Sequence, residues 1–93
     1  MNELSPDETL VEGKWLFDGK EVTADDVCER IKWLVSEVLE KVGVDESGWE
    51  TLYKDPKDNR LWVHYYPQGE MLGGGPPALK VITDEEAQDI FSV

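Results

Sequence analysis

The sequence predicts an α+β domain: an antiparallel sheet of about four to five strands, with one long amphipathic helix packed on one face and a short C-terminal helix. Three observations lead there. Apolar residues from Val27 to Val42 recur at helical spacing, the aromatic and β-branched runs at 49–54 and 61–66 alternate with period two, and turn-forming residues lie between those runs. A chain of 93 residues supports one core, so residues 10–93 read as a single domain. Residues 1–9 read as an acidic N-terminal tail that has little to hold it and is expected to fray.

Taken in order, residues 10–17 predict a first strand, and Asp18-Gly19 predicts a turn leading to a short return at Glu21-Val22 or directly toward the helix. Thr23 with Asp26 three residues on approximates a capping box, and Asp25 and Asp26 suit the positive end of a helix dipole. Val27, Ile31, Leu34, Val35, Val38, Leu39 and Val42 then form one apolar stripe, stopped by Gly43 as the C-terminal glycine. Residues 49–54 and 61–66 pair as a hairpin around Asp55-Pro56-Lys57-Asp58-Asn59. Both hairpin faces are partly apolar, so something besides the long helix must cover the second face. The loop through Gly73-Gly74-Gly75-Pro76-Pro77 is expected to lie across the Trp62/Tyr66 face. A last strand at 79–82 follows, and Thr83 with Glu86 forms a capping box for a short helix burying Ala87, Ile90 and Phe91.

Composition narrows the function. Twenty-one Asp and Glu against nine Lys and Arg give a net charge of −12, which repels nucleic acid and anionic lipid, so neither is expected as a partner. One Cys and one His supply neither an internal disulfide nor a zinc site. No metal or other cofactor is expected. The N-terminal residues lack a basic leader and an apolar core, and no apolar run approaches a bilayer span, so a cytoplasmic location is expected.

Catalytic constellations are absent at the level of motif. The triglycine loop lacks the Gly-Lys-Ser/Thr of a phosphate cradle, and Pro76-Pro77 removes two N–H donors where an anion would need them. His64 has no nucleophile in a recognisable local motif. The carboxylates suggest neither a metal cluster nor a glycosidase pair in so small a domain. The chain is therefore not expected to be an enzyme. Trp33 is more informative, because helical geometry places it opposite the apolar stripe, amid Asp26, Glu29, Glu37 and Glu40. An exposed indole ringed by acids suits protein docking, with Trp33 as anchor and the acids as a steering field. Alternatively, the N-terminal tail or a second copy covers Trp33. Monomer and dimer stay open. Arg60 is expected to bond Asp55 or Asp58.

The runs Gly48-Trp49-Glu50-Thr51-Leu52-Tyr53-Lys54-Asp55-Pro56, Arg60-Leu61-Trp62, Tyr66-Pro67-Gln68 and Gly73-Gly74-Gly75-Pro76-Pro77-Ala78-Leu79 resemble the Immunity protein 27 family of bacterial polymorphic toxin systems. Arg30-Ile31-Lys32-Trp33-Leu34 is compatible with it. The resemblance departs at Val63, where the family has an acid, and at Leu72, where it often has His; both bear on which toxin is recognised. It implies a small cytoplasmic antagonist that binds a cognate secreted toxin and blocks its active site. An anionic domain suits the basic groove of a nuclease. On this reading Trp33, Asp26, Glu29, Glu37, Glu40, Gly73, Gly74 and Gly75 contact the toxin. Asp55, Arg60, Trp62, Tyr66, Pro76 and Pro77 maintain the fold. The other reading is a generic acidic adaptor or a homodimeric interaction module.

Overall fold

The computed structural model describes residues 2–17, 19–69 and 75–91. In chain order the elements are β1 (Leu10–Glu12), β2 (Trp15–Phe17), β3 (Val22–Ala24), α1 (Asp26–Trp33), β4 (Glu40–Val44), β5 (Thr51–Lys54), β6 (Leu61–Tyr65), β7 (Ala78–Ile82) and α2 (Asp84–Phe91). A π-helical turn, Leu34–Val38, extends α1. The fold is the predicted α+β class. Its main sheet has five antiparallel strands in the order β1-β7-β6-β5-β4, and β2 and β3 form a separate two-stranded ribbon.

The sheet register sorts the side chains into two cores. Tyr53, Trp62 and Val81 stand in one cross-strand row. They face a cluster in which Ile31, Leu34 and Leu39 from the helical segment meet Leu4, Val11, Trp62 and Leu79. On the opposite face Leu52, Val63 and Ile82 pack against Ala87 and Phe91 of α2. The second apolar face of the hairpin is thus covered by the C-terminal helix. Thr83 and Glu86 cap that helix reciprocally, each backbone N–H donating to the other's side chain at 3.1 Å. Ile90, expected in the core, remains exposed.

Three further expectations are corrected: the extent of the first strand, the bounds of the helix and the state of the N-terminal segment. The strand expected over 10–17 breaks at Gly13, where β1 stays with β7 and the chain turns into the ribbon. Gly13 donates its N–H to Pro77 O at 2.9 Å, and a Cβ there would lie 2.5 Å from Cys28 Sγ and 3.0 Å from Pro77 O. Glycine alone allows that approach. The helix begins at Asp25 rather than Thr23: the Asp25 carboxylate accepts from Cys28 N at 2.9 Å, and Thr23 pairs in the ribbon.

The helix also ends earlier than the stripe implies. Leu39 N donates to Leu34 O at 2.7 Å, a five-residue step, and Leu39 then turns to extended backbone. Glu40–Val44 pairs with β5 as the sheet's edge, with Val42 as the extra residue of a bulge. Apolar residues at 38, 39 and 42 satisfy a helix or a strand equally. Pairing wins because it satisfies the otherwise open hydrogen-bonding edge of β5.

The N-terminal segment is the third correction, because it is pinned rather than frayed. Leu4 is fully buried in the helix-side core. Three cations fasten the backbone around it: Arg30 donates to Asn2 O and Glu3 O, both at 2.9 Å; Arg60 donates to Ser5 O and Glu8 O, at 2.8 and 2.6 Å; Lys57 Nζ donates to Leu4 O at 3.2 Å. The run Ser5-Pro6-Asp7-Glu8 closes a turn, with Glu8 N donating to Ser5 O at 3.1 Å and the Glu8 side chain reaching back to accept from Ser5 N at 2.8 Å. That pattern is readable in the sequence and signals an ordered turn.

Candidate functional site

The pinned N-terminal segment forms one wall of a groove whose other wall is the first turn of α1. The groove has a volume of about 790 Å3 and is lined by Asn2, Glu3, Ser5, Asp7, Glu8, Asp26, Glu29 and Arg30. Five of these residues are acids and one is a base. Arg30 is already engaged: it holds both oxygens of Glu8 at 2.8 Å in a bidentate pair. The Arg30 guanidinium keeps the Glu8 carboxyl at a pKa of about 2. Among the described residues, Glu3, Asp26 and Glu29 enter no ion pair. They are exposed residues that line the groove, so they leave its surface net negative. Asp26 and Glu29 also sit where the helix dipole favours anions, so the fold tolerates them without a counter-ion.

The predicted contact residues are only partly brought together. Asp26 and Glu29 share the groove. Glu37 lies in the π-turn and Glu40 on the edge strand β4, both exposed and neither lining the groove. Trp33 departs from its expected exposure: it is partly buried and packs against the cluster containing Leu4, Ile31 and Leu34. The helix-side core therefore reaches further around the helix than the apolar stripe alone. Gly73 and Gly74 lie outside the described residues. Gly75 is buried with φ of 74°, and a Cβ there would sit 2.5 Å from Gln68 O, so the backbone itself requires glycine.

The hairpin motif residues form a structural hub. Arg60 Nε donates to Asp58 Oδ2 at 2.6 Å, its other nitrogens reach the N-terminal carbonyls, and its guanidinium stacks 5.0 Å above the Trp62 ring. Asp55 is buried at the hairpin turn and accepts from Lys57 N at 2.9 Å. Trp62 is covered by the helix-side cluster; the loop residues 70–74, expected to cross its face, lie outside the described residues. Tyr66 meets Trp49 edge-on at 6.0 Å and His64 at 5.3 Å. Burial lowers the His64 pKa.

Two features went unforeseen in the sequence. Glu3, Asp7 and Glu8 belong to the acidic groove, signalled by the turn-forming run Ser5-Pro6-Asp7-Glu8. The ribbon exposes Leu16, Phe17 and Val22, signalled by consecutive apolar residues at 15–17 that lack the alternation of a half-buried strand. Among the described residues no group of three or more His, Cys, Asp or Glu side chains is arranged to hold a metal ion, and no helix is long and apolar enough to cross a membrane.

Comparison with known families finds that the family described as Immunity protein 27 matches residues 17–83. No curated protein and no solved structure matches.

Proposed function

Because this chain belongs to the Immunity protein 27 family, we propose that it protects the cytoplasm of its producer by binding a cognate toxin of a polymorphic toxin system and occluding that toxin's active site. The toxin is a nuclease, and the chain acts by binding, with no reaction of its own. The observation that carries this reading is the acidic groove. Glu3, Asp7, Asp26 and Glu29 present a concentrated negative surface between the N-terminal segment and α1, with its one guanidinium taken by Glu8. A nuclease must hold a polyanion in a basic cleft, so a folded polyanionic surface competes for the same place. Attraction of this kind accelerates encounter and weakens with salt. Asp26 and Glu29 make the contact here. Glu37 and Glu40, outside the groove, belong to the longer-range steering field.

The test uses the toxin domain encoded beside this chain. Added at equal stoichiometry, the chain abolishes nucleic-acid cleavage, and nucleic acid competes with the chain for the toxin. The double variant Asp26→Asn/Glu29→Gln binds about tenfold more weakly and shows a shallower salt dependence. A ternary complex of toxin, chain and nucleic acid overturns occlusion. A toxin that cleaves no nucleic acid overturns the nuclease assignment.

A further inference from the structure

We propose that the β2–β3 ribbon is the apolar anchor with which this chain seats in a cationic partner protein, while the neighbouring acidic groove steers the approach. The inference rests on the functional reading above and supplies what that reading lacks, a desolvated centre for the contact.

The ribbon pairs Leu16 with Thr23 and Phe17 with Val22. Phe17 and Val22 therefore share one face and Leu16 takes the other. Leu16 is 54% exposed, Phe17 72% and Val22 55%. Apolar exposure concentrated on neighbouring residues marks a contact surface, unlike the single exposed apolar residues scattered over any protein. Two strands alone are marginal in water. This pair is tied to the domain at its base, where Asp25 N donates to Lys14 O at 3.0 Å.

Charge selects the occupant. β3 leads through Asp25 into Asp26, so carboxylates of the groove stand at the base of the ribbon that carries the apolar patch. A second copy seated on the ribbon would bring another net −12 against the first and set like charges around the seam, which costs affinity. A protein with an apolar pocket bordered by Lys and Arg meets net attraction instead, from Asp25, Asp26 and Glu29 beyond β3 and from the charge of the whole chain. An apolar centre inside a charged rim is the usual anatomy of a specific interface, with aromatic residues enriched at the centre.

The test titrates the toxin domain encoded beside this chain with three forms of the full chain: the parent, Phe17→Ser/Val22→Thr, and Asp26→Asn/Glu29→Gln. Circular dichroism melts establish that each is folded. Val22→Thr alone, from the same face, stands in should the ribbon double variant melt early. The ribbon variant is expected to lose about a hundredfold in affinity with its salt dependence unchanged, as removal of a buried anchor does. Binding of a folded ribbon variant within about twofold of the parent, alongside a weakened acid variant, overturns the anchor and leaves the functional reading standing. A toxin domain that ignores the parent chain overturns both. A parent chain that sediments as a dimer, and as a monomer after Phe17→Ser, assigns the ribbon to a second copy and overturns the proposal.

Discussion

Leu4 carries more of this molecule than its position near the N-terminus suggests. Its side chain is fully buried against the helix-side core, and Lys57 holds its carbonyl at 3.2 Å. Truncating a buried leucine removes its transfer free energy and leaves a cavity, so Leu4→Ala is expected to cost about 2–5 kcal/mol in urea unfolding. A frayed tail would give no change. Glu8 contributes through charge. Its pKa is lowered from 4.5 to about 2, chiefly by hydrogen bonding to Arg30. A carboxyl with a depressed folded pKa stabilises the fold fully above its unfolded value and loses that contribution as pH falls through its folded value. The stability difference between the parent and Glu8→Gln is therefore expected to shrink from about pH 4.5 to about pH 2. Unfolding curves across that interval check the sign; a constant difference would mean that charge is not what Glu8 contributes.

At the scale of elements, Gly13 decides how the chain divides between sheet and ribbon. Its missing side chain lets β1 leave the sheet beside Pro77 and Cys28, and a Cβ would fall 2.5 Å from the sulfur. Gly13→Ala is expected to destabilise the domain by about 1–3 kcal/mol, the cost of overpacking a filled site. Adding Cys28→Ala removes the colliding atom, so the double variant should lose less than the two single losses combined. A denaturant double-mutant cycle measures that coupling, and additive losses would place the strain elsewhere. The same elements show what sequence reading reaches. Strands β5, β6 and β7, the α2 capping box and the antiparallel hairpin were legible because alternation and local turn chemistry both point to them. The ends of α1 were not. Thr23 and Asp25 are both competent caps, and Val38, Leu39 and Val42 fit two periodicities; the choice depended on β5 needing a partner, which is a tertiary fact. Asp26 and Glu29 were legible as exposed acids. The pinning of the N-terminal segment was hidden because it depends on Arg30 and Arg60, whose long-range partners leave no periodic trace.

For the whole molecule, one quantity enters two equilibria with opposite signs. A net charge of −12 is confined within a radius of gyration of 13.6 Å. Self-repulsion at that density disfavours the compact state, and unfolding relieves it by spreading the charges apart. Raising ionic strength from about 0.01 to about 0.1 M shortens the screening length from about 30 to about 10 Å, less than the size of the domain. Repulsion across the fold is then largely screened. The Glu8–Arg30 and Asp58–Arg60 pairs, at 2.8 and 2.6 Å, are close enough to keep most of their attraction. The thermal unfolding midpoint of the free chain is therefore expected to rise over that range, while its affinity for a basic partner falls, because the charges attracted across an interface are screened by the same ions. Melting and calorimetric titration in matched buffers read both. A midpoint that falls with salt would show that the two local ion pairs outweigh the global charge, and the acidic surface would then have to be explained by folding rather than by recognition.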